Sequence, residues 1–380
     1  MPRLRSYITL IHQFIGLSLG AIFVLIGLSG AVLVYRETID ENLNSQLMLV
    51  EPKNQSKILP LKDIFEAAKR IIPADARVER ITLPRNSTAA ASVTYISETD
   101  DLDTSVYEVF VDPYTSEVKG QRLKIHGDDQ FSQPIIAILM GFHWTLLLGA
   151  NKAYFIGSIA IFVFLSVLAG YYLWLPTNGN WQMGMRIKWK ATKQRIIFDI
   201  HRVVGFCIGS ILLISLFTGV AMIFKPVTRE IVGLVSPANI EIDFGKSNNF
   251  GNNLPIDLSK VVDIADKVFP EGRLHWVLLP TSPTGVYVVG KQSANEPNVT
   301  KTYRNVGIDQ YTGEITQIQD RNKFNFGSKF MEWLFPLHAG EFIGAYSRPL
   351  FVAVGLSPLI LFLTGLLRWL SKRRVRNSQG

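Results

Sequence analysis

Four apolar stretches, Phe14 to Tyr35, Ala153 to Leu175, Val203 to Phe224 and Pro349 to Leu370, each reach the length of about 20 residues that a helix needs to cross a bilayer. In lipid every backbone polar group must be satisfied inside the protein, so stretches of this kind have few alternatives to helix. They predict four spans. The segments between them are polar, and a mean hydropathy of +0.20 with 48% hydrophobic residues fits neither an ordinary soluble enzyme nor a chain wholly in lipid.

Basic residues orient the spans. Arg3 and Arg5 precede the first, Arg186, Lys188, Lys190, Lys193 and Arg195 follow the second, and Lys372, Arg373, Arg374 and Arg376 follow the fourth. These segments belong on the cytoplasmic side, leaving 36–152 and 225–348 outside, each long enough for a small domain. The net charge of +8 is mostly this topology signal, and with no compact basic module elsewhere the chain is not expected to bind nucleic acid. The first run exceeds a signal-peptide core and lacks a small-residue cleavage site, so it reads as a retained anchor. Cys207 is the single cysteine, which excludes an internal disulfide and thioether-bound haem.

The chain is written twice. His12, Gly16, Gly20 and Gly30 recur as His201, Gly205, Gly209 and Gly219, all displaced by 189, and "SGAVLVYR" is answered by "TGVAMIFK". His143, Gly149, Gly170 and Trp174 recur as His338, Gly344, Gly365 and Trp369, displaced by 195. Between them, residues 59–84 align with 254–280 as a helix, a proline stop and an extended segment, and "VDPYTSEV" aligns with "IDQYTGEI" as strands broken at a polar turn. Each outer segment is thus expected to be an α+β module. Both halves start inside, so the predicted fold is a four-transmembrane-helix bundle built as a parallel two-fold repeat.

In that topology His12 and His201 lie at the cytoplasmic ends of spans one and three, and His143 and His338 at the outer approaches to spans two and four. A lone interfacial histidine is as well explained by anchoring or hydrogen bonding. Four at repeat-equivalent positions favour ligation, since a two-fold axis makes each recurring histidine a facing pair of the kind that bis-imidazole haem binding needs. Gly16 and Gly205, at i+4 from His12 and His201, share their helix face and would admit a flat macrocycle, although tight helix packing explains them equally on their own. The outer glycines stand at i+6, so Gly149 and Gly344 are expected to mark a break before the span. One four-histidine metal site is excluded by a separation on the order of 25 Å at 1.5 Å per residue. Two bare two-histidine sites would lack ligands.

The quoted repeats, with "LIHQFIGLSLG", "DIHRVVGFCIG", "FHWTLLLG" and "PLHAGEFIG", resemble the PepSY-associated transmembrane family, which includes the FoxB-like inner-membrane siderophore reductases. The resemblance covers nearly the whole chain. It implies two periplasmic PepSY-type domains and two haem b groups in a bacterial inner-membrane protein that reduces ferric siderophore outside. His12 with His201 would ligate the cytoplasmic-side iron and His143 with His338 the periplasmic-side iron. The implied layout is terminus and span 1–35, domain 36–152, span 153–175, basic linker 176–202, span 203–224, domain 225–348, span 349–370 and tail 371–380. Ala339 and Gly340 depart from the bulkier residues after His143 and bear on pocket shape.

Arg202, Lys152 and Arg348 are candidates for the haem carboxylates, or positive-inside residues. Trp144, Trp174, Trp333 and Trp369 read as interfacial belt residues, while His126 and His275 have no repeat partner. No GxGxxG fingerprint is present, so the electron donor is expected to be another protein such as a cytoplasmic reductase, a membrane quinol or a diffusible reductant. Ferric chelate is expected to dock in a cleft between the two outer domains. The alternative is a membrane-anchored module that binds a peptide or protein without redox activity. Transport is a third reading, disfavoured because the spans show no acidic residue.

Overall fold

A computed structural model describes residues 2–52, 57–98, 104–127, 129, 131–176, 181–248, 254–294, 296–297 and 301–377. The helices, in chain order, are α1 (Pro2–Ser18), α2 (Gly20–Leu33), α3 (Arg36–Leu43), α4 (Ser45–Met48), α5 (Leu61–Lys69), α6 (Ile135–Thr145), α7 (Ala153–Trp174), α8 (Trp181–Gly184), α9 (Lys193–Cys207), α10 (Gly209–Ile223), α11 (Lys225–Gly233), α12 (Leu258–Val268), α13 (Phe326–Ala339) and α14 (Arg348–Asn377). The strands are β1 (Arg77–Thr82), β2 (Ala91–Glu98), β3 (Thr104–Val111), β4 (Val118–His126), β5 (Arg273–Leu278), β6 (Val286–Gln292), β7 (Arg304–Asp309) and β8 (Ile315–Asp320). The chain divides into a helical unit (1–36, 139–232, 332–380) and a sheet unit (37–138, 233–331).

In the helical unit, Ile135–Trp174 and Gly344–Arg374 are long and apolar enough to cross a membrane, and two bent pairs raise the number of candidate spans to four if each pair is one span. Arg3–Ser18 meets Gly20–Leu33 at 61°, and Lys193–Cys207 meets Gly209–Ile223 at 55°. The bends fall at Leu19, between Ser18 and Gly20, and at Ile208, which is followed by Gly209 and Ser210; glycine with serine commonly breaks the helical ladder. At the second bend the Tyr171 hydroxyl donates to the Phe206 carbonyl at 2.8 Å. Helix therefore begins at Pro2 and Lys193, ahead of the expected starts at Phe14 and Val203, and His12 and His201 lie within the first limbs. The second half of the expected linker 176–202 is helix for the same reason.

α7 is apolar on every side; Ile156, Ile159 and Val163 are buried while Phe155, Phe162, Leu165 and Leu168 stay exposed, the pattern of a helix with lipid against one face. Phe23 and Ile26 of α2, Leu212 and Leu216 of α10 and Val354 of α14 complete this core. α2 and α14 approach at Gly27 and Gly355, where an added Cβ would lie 2.6 Å and 2.7 Å from the opposite backbone oxygen.

The sheet unit is one antiparallel sheet of eight strands, ordered β4-β3-β2-β1-β5-β6-β7-β8. Each expected α+β segment supplies four strands and one amphipathic helix. α5 buries Leu61, Ile64, Ala67 and Ala68, and α12 buries Leu258, Val261 and Ala265, against Val93, Val109, Val277, Val289 and Val306. Each fully buried valine contributes about 1.5–3 kcal/mol. The recurring polar turns have one geometry. Asp112 accepts from Tyr114 N and Thr115 N, and Asp309 from Tyr311 N and Thr312 N. The left-handed residue is Ser116 (φ 58°) in the first turn and Gly313 (φ 77°) in the second.

The two segments join by pairing β1 with β5, Ile81 opposite Val277. The backbone there is continuous sheet where a cleft is expected. What lies between α5 and α12 is a cavity of about 350 Å³ lined by Leu59, Leu83, Val262 and Arg273. The Arg273 guanidinium already donates to the carbonyls of Pro84 and Arg85.

Arg122 ties α3 to the sheet, bonding Asp40 at 2.9 Å and Glu108 at 2.9 Å, with Lys124 on the other Glu108 oxygen at 2.7 Å. Burial pushes the Glu108 carboxyl up, but Lys124 and Arg122 outweigh it and hold it below its ordinary value. A depressed carboxyl stabilises the fold above its unfolded pKa of about 4.3 and loses that contribution as pH falls through the lower folded value. Thermal unfolding of the sheet unit should therefore shift down as pH drops below about 4. Glu108→Gln should start lower at neutral pH and show a shallower acid decline. An equally steep decline in the variant would locate the acid sensitivity elsewhere.

Candidate functional site

The helical unit brings the four repeated histidines together as two pairs. His12 (α1) faces His201 (α9) with ring centroids 6.2 Å apart, and His143 (α6) faces His338 (α13) at 6.0 Å. The ring planes stand at 78° and 54°.

Every one of these rings is fixed through Nδ1 by a neighbouring span. Nδ1 of His12 contacts the Ser166 carbonyl at 2.8 Å, His201 that of Leu361 at 3.1 Å, His143 that of Ile26 at 2.9 Å and His338 that of Ser215 at 2.9 Å. A carbonyl oxygen can only accept, so Nδ1 carries the proton in all four and donates it. Ser166, Thr364, Ser29 and Thr218 add hydroxyls at 3.0, 2.9, 3.1 and 3.3 Å to the same four nitrogens. In the neutral ring this tautomer leaves Nε2 with a lone pair and no proton, the form in which imidazole ligates a metal, with the orienting outer bond that such ligands use.

Glycines give the rings their room. An added Cβ would come within 2.8 Å of His143 Cε1 at Gly30 and 2.9 Å of His338 Cε1 at Gly219; at Gly170 and Gly365 the distances to His12 and His201 are 3.3 and 3.5 Å. Of the glycines singled out in the sequence, Gly16 has nothing within 4 Å and Gly205 only a Leu361 methyl at 3.6 Å. Gly16 borders open space one helical turn from His12, whereas Gly205 is in van der Waals contact with Leu361. The ring-contacting glycines are a different set, legible in "SG" and "TG" at 29–30 and 218–219, where a hydroxyl that bonds the ring precedes the glycine that admits it.

These residues fit a haem. Two imidazoles ligating one iron through Nε2 at about 2 Å, each nitrogen about 1 Å from its ring centre, put their centroids about 6 Å apart. Among the described residues no group of three or more His, Cys, Asp or Glu could hold a bare metal ion. Each pair would offer two imidazole nitrogens to a metal whose remaining positions a ligand such as a porphyrin would fill.

The approaches differ between the halves. Gly149 (φ 85°) and Gly344 (φ 58°) stand at the expected breaks, each opening a short 3-10 turn before its span. After His143 the chain turns through Leu146 and Leu147 at positive φ, and after His338 through Gly340 (φ 70°), where a Cβ would strike Phe351 at 2.5 Å. Lys152 closes one 3-10 turn, and Arg348 lies over the Tyr35 ring at 6.0 Å. Trp174 is buried and stacked on Phe206 at 3.8 Å rather than spread at the interface. His126 Nδ1 and the Ser105 hydroxyl hydrogen-bond at 2.7 Å and His275 is buried in β5, both in the sheet unit.

Acidic groups that the span boundaries hide also emerge. Asp199 is fully buried in α9 between Arg195 and Arg202, and Glu341 is buried against Arg36 at 2.9 Å. The first is an acidic residue inside a candidate span, where none is expected; the helix starts ten residues ahead of the apolar run.

The family model described as PepSY-associated TM region matches residues 9–372. No curated protein matches the chain.

Proposed function

We propose that this chain, which belongs to the family of the PepSY-associated TM region, is an oxidoreductase of the bacterial inner membrane that holds two haem b groups and reduces ferric siderophore or another iron chelate. The observation that carries this reading is the doubled pair of imidazoles, each with Nδ1 committed to a carbonyl and the centroids at 6.2 and 6.0 Å. Haem b, when bound, supplies a reversible one-electron carrier. The chain's part is to orient the four rings through Ser166, Leu361, Ile26 and Ser215, and to fill the space between the pairs with the apolar core around Phe23, Ile159 and Leu212, which keeps water out.

In this reading the bundle is a parallel two-fold repeat. The basic termini and linker are cytoplasmic, and the sheet unit, with its PepSY-type modules, is periplasmic. His12 and His201 then stand at the donor side, served by a quinol or a cytoplasmic reductase, and His143 and His338 at the side of the chelate. Ferric iron takes up one electron there and leaves its hard oxygen ligands as ferrous iron.

The test uses purified full-length protein. A reduced b-type spectrum with about two haems per chain is expected. Pre-reduced protein mixed with ferric hydroxamate siderophore should reoxidise and yield ferrous iron trapped by a chelator. Reoxidation at the rate set by oxygen alone, whatever ferric chelate is added, would remove the reductase reading. A colourless protein would remove the haem reading with it and favour the peptide- or protein-binding module.

A further inference from the structure

Beside the His12–His201 pair the two halves of the chain part company. The repeat positions of Leu10, Gln13 and Leu173 are occupied in the second half by Asp199, Arg202 and Arg368. Three arginines converge there on one ring: Arg195, Arg202 and Arg368 lie over Phe198 at 5.5, 5.4 and 3.8 Å. Asp199 pairs with Arg195 at 3.1 Å and Arg202 at 3.0 Å. Three cations against one carboxylate leave the cluster positive. Arg368 is partly buried and, among the described residues, makes no ion pair.

The donors are underused as well as uncompensated. Arg202 Nε is buried without a hydrogen-bond partner, and so is Trp174 Nε1. Trp174 stacks on Phe206, which shares a face of α9 with Arg202 four residues before it. On α14, Arg368 stands four residues after Thr364, the hydroxyl bonded to His201 Nδ1, so the arginine rises from the face that holds the ring. Unsatisfied buried donors without a matching acceptor are costly unless a ligand supplies the acceptor. Arginines that serve topology alone extend to water, whereas Arg202 is 16% exposed and Arg368 lies flat on an aromatic face.

We propose that Arg202 and Arg368 bind the carboxylate edge of the tetrapyrrole held between His12 and His201, so that this edge points toward the α9 and α14 side of the pair. The inference rests on the di-haem reading above. Guanidinium forks match carboxylates in charge and geometry, and the lone pairs of two carboxylates would satisfy the idle donors. Asp199 then positions Arg202, and Trp174 Nε1 adds a donor from the same side.

Potentiometric titration of the full-length protein tests this. Losing one cation from the carboxylate edge disfavours the reduced state. In Arg368→Gln the ratio of reduced to oxidised haem at a fixed potential should fall about tenfold at one site. That site is identified as the one retained in His143→Ala. The other site should not change, and Arg202→Gln should act in the same direction. Arg373→Gln, which removes an exposed arginine from the same helix end, should change neither site. The second arm reconstitutes apoprotein with haem or with its dimethyl ester, which cannot form the ion pairs. Wild type should take up the ester at least about tenfold more weakly at the His12–His201 site, and Arg368→Gln should not discriminate. Equal shifts in Arg368→Gln and Arg373→Gln, or equal uptake of haem and ester by wild type, would overturn the proposal while leaving a two-haem protein intact. A wild type that binds no haem would instead sink the reading on which it rests. Should Arg368→Gln fail to fold, Arg202→Gln and the ester arm decide.

Discussion

His201→Ala protein is expected to retain one haem per chain, and His12→Ala to retain the same one. On the di-haem reading each variant deletes one of the two nitrogens of a shared site, and the surviving imidazole is pinned by its Nδ1 bond at 2.8 or 3.1 Å. The double variant should therefore lose no more than either single one. His143→Ala and His338→Ala should form the reciprocal group, sparing the haem that the first group loses. The apolar layer of Phe23, Ile159, Val163 and Leu212 makes independence the expectation, because the pairs share no ligand and no ring-orienting residue. Low-spin haem content per chain decides the matter. Ring angles of 78° and 54° should also give the two sites distinct low-spin signals by which to name the survivor. Loss of both haems in every stable variant, or of neither, would break the pairing.

Which parts of this site could be read from the sequence depends on whether its contacts recur at a fixed offset. The histidines do, so their pairing follows from two displacements, 189 and 195. The hydroxyl–glycine steps Ser29–Gly30 and Thr218–Gly219 do too, and only the partner ring is missing from the sequence. At the other site the symmetry fails. Ser166 stands four residues before Gly170, whereas Thr364 immediately precedes Gly365, so no common spacing marks them. Carbonyl partners such as Ile26 and Leu361 leave no trace in residue type, since every residue carries one. The helix breaks at Leu19 and Ile208 are hidden for another reason: apolar composition specifies that a span forms but not its straightness. In the sheet unit the turns at Asp112 and Asp309 are local chemistry and legible, but the β1–β5 pairing joins segments nearly two hundred positions apart with equally apolar strands on either side. The cationic cluster at Phe198 is visible only as a departure from the repeat, and its meaning depends on which residues the bundle places around it.

Alanine at Gly30 or Gly219 should abolish low-spin haem at the His143–His338 site, while alanine at Gly170 or Gly365 should leave both sites occupied. In an exposed helix glycine-to-alanine substitution is favourable by about 1 kcal/mol, so backbone propensity opposes the predicted loss rather than causing it. The difference comes from distance. The new methyl would lie 2.8 Å from His143 Cε1 or 2.9 Å from His338 Cε1, closer than nonbonded carbons approach, but 3.3 and 3.5 Å from the rings of His12 and His201. In the first case the ring must move, and its Nδ1 bonds to Ile26 or Ser215, both 2.9 Å, hold it against moving. Overpacking of this kind costs about 1–3 kcal/mol, enough to draw an axial nitrogen away from its iron even if the fold survives. In the second case the His12 ring yields by a few tenths of an ångström, and the His201 ring is met at ordinary van der Waals distance. Haem stoichiometry, low-spin signal and thermal unfolding measured on the four alanine variants separate ligand loss from unfolding. Gly30→Ala and Gly219→Ala proteins that keep two low-spin haems would show that these glycines serve helix contact only. Equal loss in all four would mean that bundle packing, and not ring clearance, sets haem retention.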